Sequence, residues 1–161
     1  MKQIATRYCE RPMFRCWLLA SVAIMLLCAC GKPSTGPEEQ LRDWVSQGVT
    51  AAENGERGVL VGMISPAYRD ARGNDRDRIE NIFRAYFLRM NNIELLPAIE
   101  EITVIGDTAA EVLITVGMAG THDGVLGFSA DAYRFSLELE NDGDDWALIS
   151  ARWGELGEEL R

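Results

Sequence analysis

Beyond position 30 the chain has no cysteine: all four, Cys9, Cys16, Cys28 and Cys30, lie in its opening segment. The remainder can form no internal disulfide and no thiolate metal site. Histidine is nearly as scarce, with His122 alone. Basic residues are few after the opening segment, since residues 30–161 hold 12 Lys and Arg against 24 Asp and Glu, a net charge of −12. That sign repels phosphate backbones, which argues against nucleic acid as a partner and against a polybasic grip on anionic head groups. Serine nucleophile elbows, phosphate-cradling glycine loops and the HExxH arrangement are also missing, which removes several enzyme classes. No cofactor or metal is implied.

The positive features begin at the N-terminus. Lys2, Arg7, Arg11 and Arg15 face one acid, Glu10, and no charge then occurs from Cys16 to Cys30. A basic stretch followed by a short apolar one is the secretory pattern, and the apolar run is too short to cross a bilayer comfortably, which needs about 20 apolar residues. A permanent membrane span is the alternative reading. Translation can start at Met1 or at Met13, where Met13-Phe14-Arg15 would open a shorter leader. Residues 31–37, Gly-Lys-Pro-Ser-Thr-Gly-Pro, have the composition of a linker.

Downstream, hydrophobic spacing predicts three helices. Leu41, Trp44, Val45, Val49 and Ala52 recur at helical intervals, with Pro37 suited to the first turn and Asn54-Gly55 to the stop. Val59, Leu60, Met63 and Ile64 form a shorter stripe that must end before Pro66. Ile79, Ile82, Phe83, Tyr86, Phe87 and Met90 follow the three-four alternation, with Asn74 or Asp75 as N-cap and Asn91-Asn92 at the exit.

From Ile93 the period changes to two. Ile102 and Val104 alternate with Glu101 and Thr103; after the Gly106-Asp107 turn, Val112, Ile114 and Val116 share a face. Tyr133, Phe135, Leu137 and Leu139 point one way, while Arg134, Ser136, Glu138 and Glu140 point to a wet face. Asn141-Asp142-Gly143 supplies a hairpin turn. In the last strand strict alternation puts Ala147, Ile149, Ala151 and Trp153 on one side and Trp146, Leu148, Ser150 and Arg152 on the other. Three helices and then a four-stranded antiparallel meander make an α+β domain over residues 38–161.

Two resemblances extend this reading. Leu27-Cys28-Ala29-Cys30 resembles the bacterial lipobox, which implies a signal peptide over residues 1–29 and lipidation of Cys30. Gly31 in place of a retaining aspartate implies the outer membrane facing the periplasm. Ile-Ser-Pro-Ala-Tyr-Arg-Asp at 64–70, Arg-Ala-Tyr-Phe at 84–87, Ile-Gly-Asp-Thr-Ala at 105–109 and Trp-Ala-Leu-Ile-Ser-Ala at 146–151 look like a nuclear transport factor 2-like domain, over about residues 38–154. Tyr68-Arg69-Asp70, Gly73 and the closing Ser150-Ala151-Arg152-Trp153 resemble small bacterial lipoproteins of that superfamily. The resemblance implies a curved sheet wrapped around helices into a cone, often with a cavity. It does not select between enzymes and binding modules.

Among the candidate site residues, Cys30 is the lipidation site and holds the chain to the membrane through acyl chains. Tyr68, Tyr86, Tyr133 and Trp153 are candidates for lining a cavity, with core packing the competing role. His122 lies in the glycine-rich Gly120–Gly127 segment, where a surface loop is the ordinary expectation and a catalytic base the competing one. The Asn141–Asp145 run lacks the spacing of a calcium loop and fits a hairpin turn. Asp70, Asn74, Asp75, Asp77 and Glu80 are interspersed with Arg69, Arg72, Arg76 and Arg78, and fit a loop and helix cap. The expected activity is a non-catalytic module binding an envelope protein or a small apolar ligand. The alternative is a small lyase, isomerase or hydrolase using the cone interior. A homodimer through the exposed sheet face would place Trp146, Leu148 and Arg152 near the contact.

Overall fold

The computed structural model describes residues 36–122, 128–143 and 145–161, with the side chains of residues 91, 120–122 and 128–130 left aside. Residues 1–35, with the leader and Cys30, residues 123–127 and Asp144 lie outside the described residues.

Helix α1 spans Pro37–Glu53. Proline in the first turn costs no hydrogen bond there, and Glu38 and Glu39 face the positive end of the helix dipole. Asn54 caps the helix, and Gly55 turns the chain with φ +67, a conformation in which a Cβ would be strained. Helix α2, Arg57–Gly62, is short and stops before Pro66, as proline sterics require. Helix α3 spans Arg76–Phe87, and its N-cap is Asp75, whose carboxylate accepts from Arg78 N at 2.9 Å. The apolar spacing predicts a helix running on through Met90 to an exit at Asn91-Asn92. Instead the helix closes at Phe87, and Met90 already opens the first strand. Ile82, placed on the buried stripe by its spacing, is 42% exposed.

Four antiparallel strands come next in meander order: β1 Met90–Ile105, β2 Ala109–His122, β3 Phe128–Asn141 and β4 Trp146–Glu155. The β2–β3 register runs without interruption from Ala109↔Glu140 to Thr121↔Phe128. His122 is the backbone partner of Met90, so Gly120–His122 belongs to a strand end and not to the expected loop. Bulges break the outer pairings. In β1 the register shifts between Ile99 and Glu101. In β4, Leu139↔Leu148 is followed by Glu138↔Ser150, which leaves Ile149 as the extra residue. Bulges of this kind increase local twist and bend a strand, as a sheet wrapped around helices needs.

The β4 bulge overturns strict alternation in that strand. Trp146 and Leu148 face the core, Ile149 takes up the extra position, and Ala151 and Trp153 then face the core again. Trp146 is buried and donates its indole N–H to Gln40 Oε1 at 3.1 Å. Trp146 and Leu148 therefore face the core and not the outer sheet face, where the expected homodimer contact places them.

The main core joins α1 to the sheet through Leu41, Val45, Val112, Ile114, Leu139 and Trp146, and a second cluster gathers Ile64, Tyr68, Ile79 and Ala151 under α3. On the other sheet face, Ser136 is buried although no helix covers it. Its hydroxyl donates to Glu111 Oε1 at 2.7 Å and accepts from Arg152 Nη2 at 3.1 Å, and these two long side chains shield it. The free side of β4 is occupied by chain 63–71: Ser65 N, Arg69 N and Ala71 N donate to the carbonyls of Leu148, Ile149 and Ala151.

Candidate functional site

A cavity of about 270 Å³ lies between the helices and the sheet. Helix α1 supplies Trp44, Val45, Gly48 and Val49; Leu60, Met63 and Ile64 come from α2 and its exit, and Phe83 from α3. The sheet closes it with Leu95, Ile114, Val116, Met118, Phe135, Leu137 and Leu148. All are apolar but for the indole N–H of Trp44, which is buried without a hydrogen-bond partner among the described residues, so the lining offers no titratable group for proton transfer. Gly48 faces Met63, whose Cε would lie in ordinary contact, at 3.4 Å, with a Cβ added there. Two methionines add adaptable walls.

A second, larger and polar cavity is lined by Arg72, Tyr133, Trp153, Gly154, Glu155, Glu158, Glu159 and Arg161. Residues after β4 turn back to build it: Trp153 N donates to Arg161 O at 3.1 Å and Arg161 N to Trp153 O at 3.3 Å. Arg72 pins this return. Its guanidinium lies 4.3 Å from the Trp153 ring centroid, donates to Trp153 O at 3.0 Å, and reaches Arg161 O at 3.4 Å. Gly154 is required by the close approach, since a Cβ there would meet Glu159 O at 3.0 Å.

The two cavities have no lining residue in common but adjoin along β3. Phe135, in the apolar lining, is the cross-strand partner of Trp153 and lies 6.4 Å from Tyr133 between ring centroids. Tyr133 and Trp153 both line the polar side.

The sequence candidates are thus separated. Tyr133 and Trp153 meet at the polar cavity. Tyr86, one turn beyond Phe83 on α3, is half-buried and packs edge-on against Phe87. Its hydroxyl is held above the usual tyrosine range by burial first, then by the nearby charges of Tyr133 and Asp131. Tyr133 is raised likewise, by burial, Asp131 and Glu155. Tyr68 lines neither cavity; it is buried in the second core cluster, and its hydroxyl is pushed far up by burial and by the carboxylate of Asp70. That carboxylate is fully engaged as a loop anchor, accepting from Arg72 N at 2.9 Å, Asn74 N at 2.8 Å and Asn74 Nδ2 at 2.8 Å. Sequence reasoning places Trp44, Phe83, Val116, Phe135 and Leu137 on buried faces, but periodicity cannot tell a packed face from one left ajar. Arg72 carries no signal beyond its place in a mixed-charge loop.

No protein-family model matches this sequence, and no curated protein matches it either. Solved structures do. A candidate scytalone dehydratase from Novosphingobium aromaticivorans superimposes with a TM-score of 0.68 at 8% identity, covering 77% of this chain and 85% of its own. A ketosteroid isomerase-like protein from Erwinia carotovora gives 0.63 at 10%, covering 77% and 100%. A protein with a cystatin-like fold from Caulobacter vibrioides gives 0.61 at 14%, covering 75% and 90%. Identities this low carry architecture and not chemistry. The domain is accordingly an α+β cone of the nuclear transport factor 2-like, cystatin-like fold, with three helices packed on a four-stranded antiparallel sheet.

Proposed function

We propose that this chain is a lipid-anchored lipoprotein of the bacterial cell envelope whose cone domain is a non-catalytic receptor for a small apolar ligand. The observation that carries the binding role is the apolar chamber, whose described lining contains no acid, base or nucleophile. Removing an apolar ligand from water is favourable in proportion to the area buried, and such a chamber holds it without orienting any reacting group. Attachment rests on the lipobox-like Leu27-Cys28-Ala29-Cys30, with the outer membrane facing the periplasm as the destination. Among the described residues no helix is long and apolar enough to cross a membrane. An envelope protein is the other partner class this reading admits.

Titrating the protein with tert-butylbenzene tests the chamber. Ligand at a hundred times its dissociation constant stabilises by about 2.7 kcal/mol, which raises the melting temperature by several degrees. Gly48→Leu, whose side chain grows into the chamber, is expected to remove that increase while leaving the protein folded; an unchanged melting temperature in the unsubstituted chain would refute the reading. Intact mass of the membrane fraction tests attachment: a mature chain beginning at Cys30 with added acyl groups, lost in Cys30→Ser, is expected.

The competing reading is a small lyase, isomerase or hydrolase. It is favoured by the mutual influence of Tyr86, Tyr133 and Asp131 near Phe135 of the chamber. Turnover of an apolar carbonyl or hydroxy compound, abolished in Tyr133→Phe, would establish it over the receptor.

A further inference from the structure

The adjacency of the two cavities along β3 bears on what the ligand looks like, on the reading that the apolar chamber is a receptor site. A cavity of about 150 Å³ holds benzene. Scaled to about 270 Å³, this chamber, which is open on one side, takes in an apolar body of about eleven non-hydrogen atoms.

Beyond Phe135 the environment changes within one residue pair. Tyr133 is directly opposite Glu155 across the β3–β4 ladder, and Asp131 shares the strand face of Tyr133. Residues directly opposite in a ladder present their side chains to the same face. The polar cavity thus carries Glu155, Glu158 and Glu159, with Asp131 nearby, against Arg72 and Arg161. Arg72 is already committed to two backbone carbonyls and to the Trp153 ring. A ligand head here therefore meets phenol hydroxyls and an excess of carboxylates.

We infer that the two cavities form one bipartite site for an uncharged amphipathic molecule, its compact apolar body in the inner chamber and a hydroxyl or carbonyl head at Tyr133, with carboxylates excluded. An anionic head would lie beside the exposed carboxylates of Glu155 and Asp131, where like charge disfavours it. A neutral head keeps its hydrogen bond to a phenol.

Titration calorimetry of the full-length chain in phosphatidylcholine vesicles, blanked against protein-free vesicles, separates these outcomes with three probes: tert-butylbenzene, para-tert-butylbenzyl alcohol and para-tert-butylbenzoate. The alcohol is expected to bind roughly threefold tighter than the hydrocarbon, the worth of one modest hydrogen bond. The benzoate is expected to bind weaker than the alcohol by on the order of tenfold. Tyr133→Phe should erase the alcohol's advantage and leave the hydrocarbon unchanged. The double variant Asp131→Asn, Glu155→Gln should bring the benzoate close to the alcohol. A benzoate that binds the unsubstituted protein as well as the alcohol, or is unaffected by the double variant, overturns the bipartite site while leaving the chamber in place. Binding of none of the three overturns the receptor reading itself.

Discussion

Asp70 and Asp75 belong to one mixed-charge loop yet act on different parts of the chain. Asp70 is buried and gathers three N–H donors, closing the loop on itself. Asp75 is exposed and gives its carboxylate to one orphan donor at the start of α3. Neither lines either cavity. Losing an N-cap costs about 1 kcal/mol, so Asp75→Ala should lower the urea midpoint by that equivalent without changing ligand affinity. On the outer sheet face, Glu100 bonds Thr115 and Arg134, and these contacts hold its carboxyl below the ordinary 4.5. The partners of Asp70 and Asp75 are two to four residues away and within reach of local reading, whereas those of Glu100 lie on other strands, too far along the chain for spacing to reveal.

At the level of the element, the β4 bulge has the largest consequence. Strict alternation would place Trp146 and Leu148 outside if Ala151 and Trp153 are inside, and the structure has all four inside because Ile149 is the extra residue. Deleting Ile149 therefore leaves the Leu139↔Leu148 and Glu138↔Ser150 pairings available on either side of the gap. What is lost is the carbonyl that accepts from Arg69 N and part of the local twist. The deletion should cost about 1–3 kcal/mol, the range for a lost buried hydrogen bond. Had the strand alternated strictly, the same deletion would turn half its core residues outward, a loss above about 4 kcal/mol. Thermal unfolding of the deletion variant, with Trp146 fluorescence reporting burial, distinguishes the two.

For the whole molecule, alkaline stability depends on where the tyrosines sit. Tyr68, Tyr86 and Tyr133 all ionise above the ordinary 10.0 in the folded protein, chiefly because burial disfavours the phenolate. The unfolded chain loses these protons first, so folded stability is complete below pH 10 and falls as pH rises beyond it. Urea midpoints measured upward from neutral pH should be flat and then decline above pH 10, and tyrosinate absorbance should rise together with unfolding. Tyr68→Phe should start from a lower midpoint and decline less steeply; an equal slope would mean Tyr68 is not held neutral by the fold.

Much of this protein was determined by the sequence alone, because the relevant physics is local. Proline at the start of α1, the glycine at its end, the Asp75 cap and the two periods of hydrophobicity mark three helices and a meander, and these define the α+β class. The end of α3 was less legible, since Met90 fits the helical period as well as the strand that it in fact opens. Three further features were decided only by the tertiary structure. Ile149 bulges because the curved β4 must pair with β3 while its other edge receives chain 63–71. The chamber lies where the apolar faces of three helices and the sheet meet without closing, which periodicity alone cannot show. Arg72, Trp153 and the residues returning from 156 to 161 form a polar cavity from segments distant in sequence. Local preference acts over a turn or a strand, whereas bulges, voids and clustered charges are properties of how whole faces meet.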